Sequence, residues 1–417
     1  MSKIVCYDCG KTHGEADAGY RCACGGLLEV VHDFSGADAE KLKRLFADRL
    51  SERMSVHASG VWRYKELICP ELPDRAIVTK YEGNTGLYRS EPIGRALGLR
   101  EVWLKAQSEN PSGSFKDNGM TVAISHGRFH GFAKFACAST GNTSSSLAMY
   151  AALAGEKAVV LVPNDHVSAN KVLQTLAYGA KTIGFEGTYD DGIRFFERHG
   201  RELGLYVCNS INPYRIEGQK SIVYEIAQSL NWELPDWIVV PGGALSNVTA
   251  LGKGLRDLYG LGFISRMPRV ALVQAEGASP FHAMAASGAD ELVPVARPAT
   301  VASAMNIGNP PSWKKAREFL KANGGTTCAV SDEEILEAKK LIDRSGIGCE
   351  PASASTAAGL RKLKAEGTIS KNETAVCILT GSLLKDTDIL HTTLWEGGGR
   401  GYSPELTVEA VRGMIDR

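Results

Sequence analysis

Short apolar segments alternate with segments of helical periodicity from about residue 98 onward, and this alternation limits the chain to a small group of folds. The predicted strands are Phe132–Ala138, Ala158–Val162, Lys181–Phe185, Leu205–Val207, Trp237–Val240, Val270–Gln274 and Ala375–Leu379. The predicted helices are Asp38–Leu50, which precedes this region, and Ser144–Ala154, Ala169–Tyr178, Asp190–Leu203, Ile216–Leu230 and Ser246–Tyr259. Such alternation forms parallel βαβ units, with helices on both faces of the sheet. We therefore predict a doubly wound α/β protein that binds its ligands at the carboxyl ends of its strands.

The composition excludes several classes of protein. At roughly 100–200 residues per domain, a chain of 417 residues is expected to form two or three domains. The 47 basic and 47 acidic side chains balance, so neither nucleic acid nor an anionic membrane is expected as the main partner. No apolar run approaches the roughly 18 residues that a membrane span needs, and the first residues lack the apolar core of a signal peptide. These features predict a cytoplasmic protein.

Four cysteines form two close pairs near the start of the chain, Cys6 with Cys9 and Cys22 with Cys24. Four thiolates make a closed tetrahedral zinc site of the structural kind, and two pairs about a dozen residues apart are typical of a zinc ribbon. The second pair is separated by one residue where two are usual, so free thiols are the alternative. We predict a zinc-ribbon-like module over residues 1–35.

Lys116 stands among small and turn-forming residues, immediately before an apolar helical pattern that starts at Met120. This setting favours a lysine held at the beginning of a helix and facing a cavity. A buried lysine loses its charge readily and can form an imine with an aldehyde cofactor. The alternative is a solvated lysine in a surface loop, which is the commoner situation.

Three other predicted strands end in segments suited to ligands. Ser139–Thr143 is dense in hydroxyl and amide groups at the start of a helix, which suits an oxygen-rich ligand. Pro241–Asn247 carries two glycines before a helix, an arrangement that can hold a phosphate group on backbone N–H groups. Thr380 ends a buried strand, where its hydroxyl can face a ligand. Ordinary helix caps and turns are the alternative for each segment.

The order of these features resembles the tryptophan-synthase-β-like family of pyridoxal-phosphate enzymes, which have fold type II. Several runs look more specifically like the threonine synthases of that family. These runs are Asn110–Asp117 (NPSGSFKD), Ala138–Thr143 (ASTGNT), Asn209–Lys220 (NSINPYRIEGQK), Ile307–Pro310 (IGNP), Glu350–Ala354 (EPASA) and Thr380–Gly381 (TG). The resemblance implies a catalytic domain over residues 36–417, with two doubly wound parallel-sheet subdomains and the cofactor between them. The smaller subdomain is expected over roughly 117–205, and the larger is the remainder.

The resemblance also implies a role for each matching residue. Lys116 would hold pyridoxal 5'-phosphate as an imine and later move protons. Further cofactor contacts would come from the side chains of Asn142, at the ring hydroxyl, and Thr380, at the pyridine nitrogen. The backbone of the glycine-containing loop would hold the cofactor phosphate through Gly242, Gly243, Ala244, Leu245, Ser246 and Asn247. The substrate carboxylate is expected at Ser139, Thr140 and Thr143, and the substrate phosphate at Asn209, Ser210 and Arg215, whose planar fork suits phosphate oxygens.

The implied reaction converts O-phospho-L-homoserine and water to L-threonine and phosphate, the last step of threonine biosynthesis. The small phosphorylated amino acid would be the partner of the site, and fold-level analogy implies a homodimer. Some positions depart from the family pattern and put the substrate in doubt: Gly86, Asn118, Leu245, Ser246, Ser382 and Leu383. The alternatives are a β-replacement synthase that uses phosphoserine, a threonine dehydratase-like lyase, and a non-catalytic scaffold of the same fold.

Overall fold

A computed structural model describes residues 2–14, 20–164, 169–395 and 406–415. The chain divides into two compact units, residues 1–385 and residues 386–417. The second unit, where it is described, contains only short helical segments. The strands and all sites discussed below belong to the first unit.

The strands lie mainly in the body of the chain, and a small group precedes them. In chain order they are β1 (Lys3–Cys6), β2 (Thr12–His13), β3 (Leu28–Val31), β4 (Leu87–Arg89), β5 (Glu101–Ala106), β6 (Lys134–Ala138), β7 (Lys157–Pro163), β8 (Lys181–Phe185), β9 (Tyr206–Val207), β10 (Trp237–Pro241), β11 (Arg269–Ala275), β12 (Thr326–Val330) and β13 (Thr374–Leu379).

The α-helices alternate with these strands. In chain order they are α1 (Ala39–Asp48), α2 (Lys65–Ile68), α3 (Glu91–Leu97), α4 (Lys116–Phe129), α5 (Asn142–Ala154), α6 (Ala169–Ala177), α7 (Tyr189–His199), α8 (Pro213–Gln219), α9 (Ser221–Ser229), α10 (Ser246–Gly260), α11 (Pro280–Ser287), α12 (Trp313–Ala322), α13 (Asp332–Arg344), α14 (Pro351–Ala365), α15 (Thr387–Leu390) and α16 (Val408–Ile415).

Two parallel sheets form the body of the protein. The larger has the order β12-β11-β10-β13-β5-β4, and only the edge strand β4 runs antiparallel to its neighbour. The smaller has the order β8-β7-β6-β9 and is wholly parallel. The predicted α/β architecture with parallel-sheet subdomains is therefore confirmed. The smaller sheet ends at Val207, two residues past the boundary expected at residue 205.

The segment predicted as one helix over Ile216–Leu230 is wrong in detail. The helix begins earlier, at Pro213, where proline suits the first turn because its missing N–H has no helical partner there. It is then divided at Lys220 into α8 and α9. Next to the division, the Ser221 hydroxyl donates to the Gly218 carbonyl at 2.7 Å, and such local bonds compete with helical ones.

The first predicted helix is confirmed with shorter limits. Asp38 is its N-cap, because its carboxylate accepts the Lys41 N–H at 3.0 Å. Phe46 anchors the helix: it is fully buried and meets Tyr64 edge-on at 5.0 Å. Leu50, the last residue of the predicted helix, lies beyond the end of α1 and is 56% exposed.

Candidate active site

The segments singled out in the sequence meet at the carboxyl ends of the strands. β10 and β13 are adjacent in the large sheet, so the glycine-containing loop and Thr380 begin side by side. The loop before Lys116 joins them, since Phe115 N–H donates to the Thr380 carbonyl at 2.9 Å. Ser114 also forms a bridge with Gly381. Lys116 therefore lies at the same edge of the large sheet as Thr380, which is where ligands bind in this kind of fold.

Lys116 is the first residue of α4, and although the residue as a whole is partly exposed, its amine is buried. Burial of the amine, together with the positive charge of Arg215, lowers the pKa of Lys116 to about 7, against an opposing effect of Glu350. A large neutral fraction of the amine is therefore present near neutral pH. A neutral lysine amine is the form that attacks a carbonyl carbon.

The first turn of α4 is held by a buried carboxylate. Asp117 accepts the Ser112 hydroxyl at 2.6 Å, the Ser112 N–H at 2.7 Å and the Ser146 hydroxyl at 2.5 Å. Burial raises the pKa of Asp117 to about 6, although these hydrogen bonds oppose that shift. This network ties α4 to α5 and fixes the backbone from which Lys116 projects.

Asn142 and Thr380 face a carboxyl group to which the sequence analysis gave no role. Glu350 Oε2 accepts Asn142 Nδ2 at 2.9 Å, and Glu350 Oε1 accepts the Thr380 hydroxyl at 3.1 Å. The Thr380 hydroxyl is also 3.0 Å from Ser353 Oγ. Glu350 belongs to the run EPASA, which resembles the family. Only the fold brings it to Asn142 and Thr380, which are 208 and 30 positions away in the sequence. The sequence signal by which Glu350 could have been found is a glutamate directly before a proline at the start of a buried helix.

The glycine-containing loop has fewer free amides than its sequence suggested. Gly242 N–H donates to the Val273 carbonyl at 2.7 Å, so this amide belongs to the sheet edge. Asn247 Nδ2 closes the loop on the Pro241 carbonyl at 2.7 Å. Leu245 is buried in a left-handed conformation, with φ of 64°, just before α10. The N-terminal amides of α10 point into this loop and favour an anion there.

The loop also needs its second glycine for close packing. A Cβ atom at Gly243 would lie 3.1 Å from the Ala304 carbonyl oxygen. This contact is tighter than nine in ten real Cβ contacts, so a side chain here would require the loop or Ala304 to move by a few tenths of an ångström. Such a narrow turn before a helix is the shape that allows backbone amides to approach a phosphate.

Arg215 is a buried cation that forms no ion pair with any carboxylate in the described part of the chain. It is 1% exposed, and Nη1 donates to the Cys208 carbonyl at 2.8 Å. Its Nε has no hydrogen-bond partner, and within the described ranges no carboxylate lies within 4 Å of its guanidinium. The Ser210 hydroxyl is also buried and has no partner. An unpaired buried charge is unfavourable, so this arrangement indicates a site for an anion.

Asn209, which was predicted to bind the substrate phosphate, forms two hydrogen bonds to the end of β6. Its Oδ1 accepts Ala138 N–H at 3.1 Å, and its Nδ2 donates to the Ala138 carbonyl at 2.9 Å. These bonds hold the segment that precedes Arg215 against the end of β6, where the Ser139–Thr143 loop begins. Asn209 therefore positions the two loops relative to each other, and at most one amide hydrogen is left for a ligand.

The Ser139–Thr143 loop lies beside this anion site. Ser139 Oγ accepts Gly141 N–H at 3.2 Å, and the side chains of Thr140 and Thr143 are partly exposed. Asn142 begins α5, which confirms that the loop ends at a helix N-terminus. The hydroxyl groups of the Ser139–Thr143 loop and the first-turn amides of α5 can bind a carboxylate.

The four N-terminal cysteines also come together. Their sulfur atoms all lie within 4.8 Å of one another, with Cys6 and Cys24 at 3.5 Å and Cys9 and Cys22 at 3.7 Å. Thiolates bound tetrahedrally at Zn–S distances of about 2.3 Å are separated by roughly 3.8 Å. The cluster therefore fits a tetrahedral metal ion. It lies beside the three-stranded sheet β2-β1-β3, which we call the ribbon sheet.

No helix within the described ranges is long and apolar enough to cross a membrane.

Comparisons with known proteins agree with this site. A family model described as pyridoxal-phosphate dependent enzyme matches residues 78–381. The threonine synthase of Methanocaldococcus jannaschii is 43% identical over 385 residues, which is 92% of this chain and 93% of the relative. That of Methanosarcina acetivorans is 43% identical over 390 residues, 93% of each chain.

Among solved structures, that of threonine synthase from Escherichia coli aligns with a TM-score of 0.73 at 19% identity, covering 98% of this chain and 94% of the other. At this identity the match supports the fold alone. The chain belongs to the pyridoxal-phosphate dependent enzymes and, on the evidence of its close relatives, to the threonine synthase family within them.

Proposed function

We propose that the protein is a threonine synthase, which converts O-phospho-L-homoserine and water to L-threonine and phosphate. The observation that carries this proposal is the buried, unpaired guanidinium of Arg215 near the reactive lysine. A dehydratase substrate carries no phosphate, so a dehydratase would leave this cation buried without a counter-ion. The relatives named threonine synthase add support from an independent direction.

The residues of the site fit pyridoxal phosphate. When bound, this cofactor supplies an aldehyde for the lysine and an electron sink for charge at the substrate Cα. Lys116 would hold the cofactor and, once displaced by substrate, take up and return protons at Cα and Cβ. Asn142 and Thr380 would orient the ring, and the loop from Gly243 to Asn247 would hold the cofactor phosphate.

The substrate would be fixed at both of its charged ends. Arg215 and Ser210 would bind its phosphate, and Asn209 would keep this segment in place. Ser139, Thr140 and Thr143 would bind its carboxylate. After the phosphate leaves Cγ, Arg215 would keep it in the site, where it can help to deprotonate the water that adds at Cβ.

The test is a turnover assay that follows both products. Phosphate release from O-phosphohomoserine is measured together with chromatographic detection of threonine, and phosphoserine is run in parallel. We expect equal amounts of threonine and phosphate from phosphohomoserine and no turnover of phosphoserine. Turnover of phosphoserine alone would contradict the proposal and favour a β-replacement synthase. A yellow protein that acts on neither substrate would contradict both.

We also propose that Cys6, Cys9, Cys22 and Cys24 bind one structural zinc ion, and that the enzyme is a cytoplasmic homodimer. The convergence of the four sulfur atoms supports the metal site. Metal analysis of purified protein should give one zinc per chain, and light scattering should give twice the mass of the 44.7 kDa chain. A metal-free protein or a monomer would contradict the respective proposal.

A further inference from the structure

Lys385 is a cation next to the proposed site, and no step of the proposed function uses it. Its amine donates to Ser145 Oγ on α5 at 3.0 Å and to Gln174 Oε1 on α6 at 2.5 Å. Burial lowers the pKa of Lys385, and the charges of Asp117 and Glu350 act in the opposite direction. Within the described ranges, however, no carboxylate forms an ion pair with this amine. A desolvated cation held by neutral acceptors contributes little to stability, so this arrangement indicates a functional constraint.

The side chain of Lys385 joins the two parallel sheets. Lys385 follows β13 of the larger sheet, whereas α5 and α6 follow β6 and β7 of the smaller one. The side chain packs on the loop before Lys116, since a Cβ atom at Gly113 would lie 3.2 Å from Lys385 Cε. Gln174 Nε2 also donates to the Ser112 carbonyl of that loop at 3.2 Å. Lys385 therefore links the loop of the reactive lysine to α5 and α6.

The hydrogen bond to Ser145 extends this link to the Ser139–Thr143 loop. An ammonium group can only donate, so the Ser145 oxygen accepts from Lys385 and its own hydrogen points elsewhere. The Gly141 and Asn142 carbonyls, both 3.3 Å from Ser145 Oγ, are the acceptors for that hydrogen. The Ser145 N–H donates to the same Gly141 carbonyl at 3.1 Å. Lys385 thus fixes the direction of a hydroxyl group that holds the backbone of the loop.

The position of the amine also matters electrostatically. It lies against the first turn of α5, where the helix dipole is positive and a cation is unfavourable. A carboxylate bound at the first-turn amides would be attracted both by the dipole and by the ammonium group. The charge of Lys385 therefore opposes folding slightly and favours the binding of an anion at this end of α5.

We propose that Lys385 is a positioning residue for the substrate carboxylate. Through Ser145 and Gln174 it holds the Ser139–Thr143 loop at a fixed place relative to Lys116. The bound carboxylate then keeps the substrate Cα within reach of the lysine amine. This inference rests on the proposed function, which places the substrate carboxylate at that loop.

The test compares two ligands of the yellow holoenzyme by titration of its visible absorbance. L-Threonine carries the carboxylate, and 1-aminopropan-2-ol is the same molecule without it. Lys385→Met keeps the packing on Gly113 and removes the amine. Because a hydrogen bond from a charged group is lost, we expect the dissociation constant of L-threonine to rise roughly tenfold. The dissociation constant of 1-aminopropan-2-ol should change less than about twofold. For phosphohomoserine, KM should rise more than kcat falls.

Three results would overturn the inference. They are unchanged binding of L-threonine in Lys385→Met, equal weakening of both ligands, and a parent enzyme whose absorbance does not respond to L-threonine. Lys385→Arg keeps a charged donor and should recover much of the affinity for L-threonine. Lys340→Met is the matched control, because Lys340 is exposed on α13, and it should change neither dissociation constant.

A second background isolates the path through Ser145. In a Ser145→Ala enzyme, adding Lys385→Met should weaken the binding of L-threonine much less than it does in the parent. An equal effect in both backgrounds would mean that Lys385 does not act through Ser145. If Lys385→Met does not fold, Ser145→Ala replaces it. That variant should bind L-threonine more weakly and 1-aminopropan-2-ol as the parent does, and no change would again overturn the inference.

These titrations need no turnover, so their failure can be distinguished from failure of the proposed function. Turnover of phosphohomoserine by the parent enzyme tests that function separately. A parent enzyme that makes no threonine from phosphohomoserine but shows Lys385-dependent binding of L-threonine would overturn the function and support the role of Lys385.

Discussion

The reactivity of Lys116 comes from the burial of its amine and from the positive charge nearby. Desolvation disfavours the ammonium form, and Arg215 adds repulsion, whereas Glu350 restores part of the stability of that form. The same guanidinium would serve two purposes if the proposed function holds. It helps to keep the lysine neutral, and it would bind the anionic end of the substrate.

Arg215→Leu is expected to weaken substrate binding far more than cofactor binding. Loss of a charged hydrogen bond costs about 2 kcal/mol or more, so KM for phosphohomoserine should rise at least about thirtyfold. The dissociation constant of the cofactor, measured by absorbance, should change less than about threefold. Arg194→Leu is the matched control, because Arg194 is exposed and its ion pair is with the exposed Asp191 on the same helix. Equal weakening of cofactor and substrate would contradict the role of Arg215.

The individual site residues differ in how far the sequence could predict them. Lys116 and Arg215 lie in runs whose local chemistry or family resemblance identified them. The contact of Glu350 with Asn142 and Thr380 joins three distant segments, so no local pattern contains it. For Asn209 the residue was identified, but its bonds to Ala138 depend on how β6 and β9 pair.

At the scale of elements, the packing of α4 against α8 determines the distance between Lys116 and Arg215. The two helices pack closely because α4 has glycine at position 119 and α8 has glycine at position 218. A Cβ atom at Gly119 would lie 2.6 Å from the Arg215 carbonyl oxygen, and one at Gly218 would lie 2.0 Å from the Asn118 carbonyl oxygen. Real Cβ atoms never come this close to backbone, so any side chain here must separate the helices.

Gly119→Ala should therefore impair the site without touching a ligand. Overpacking typically costs about 1–3 kcal/mol, and we expect a comparable loss in stability together with a clear fall in kcat/KM. Gly260→Ala is the control, since a Cβ atom at Gly260 meets nothing within 4 Å. Denaturant unfolding and turnover of both variants provide the measurement. A Gly119→Ala enzyme with unchanged stability and activity would show that the two helices need not be so close.

Whether a segment forms a helix or a strand was predictable, because its hydrophobic period and its length indicate the same element type. The residues at which an element begins and ends depend instead on caps and tertiary contacts. The smaller sheet and its helices were predicted within a few residues, since their apolar runs are short and separated by clear turns. The division of α8 from α9 was not predicted, because Lys220 fits a continuous helical pattern. Its ammonium group is instead buried against Glu217 at 2.6 Å and Asp257 at 2.7 Å.

At the scale of the first unit, the ribbon sheet supports α8, the helix that carries Arg215. His32, which follows β3, lies 2.8 Å from the buried carboxylate of Glu217 on α8. Lys253 of α10 bridges Glu217 and the Val30 carbonyl, and Lys315 of α12 donates to the Leu28 carbonyl at 3.2 Å. Surrounding cations hold the pKa of Glu217 well below its usual range, against the effect of burial.

Removing the proposed zinc ion should loosen this support. In Cys22→Ser, or in the parent enzyme treated with a chelator, we expect a melting temperature at least about 3 °C lower, because zinc binding contributes directly to the folding free energy. The bound cofactor should remain, since its proposed residues lie outside the ribbon sheet. The chelator should have no further effect on Cys22→Ser. An unchanged melting temperature in the variant would contradict a structural metal.

The most direct test of the active-site assignment is to find the lysine that holds the cofactor. Borohydride reduction of the yellow holoenzyme, followed by peptide mapping, should place the label on the peptide that contains Lys116. Lys385 is the informative rival, because its pKa is also lowered by burial and its amine donates to Ser145 at 3.0 Å near the same site. Label on Lys385, or no reducible label at all, would contradict the assignment of Lys116.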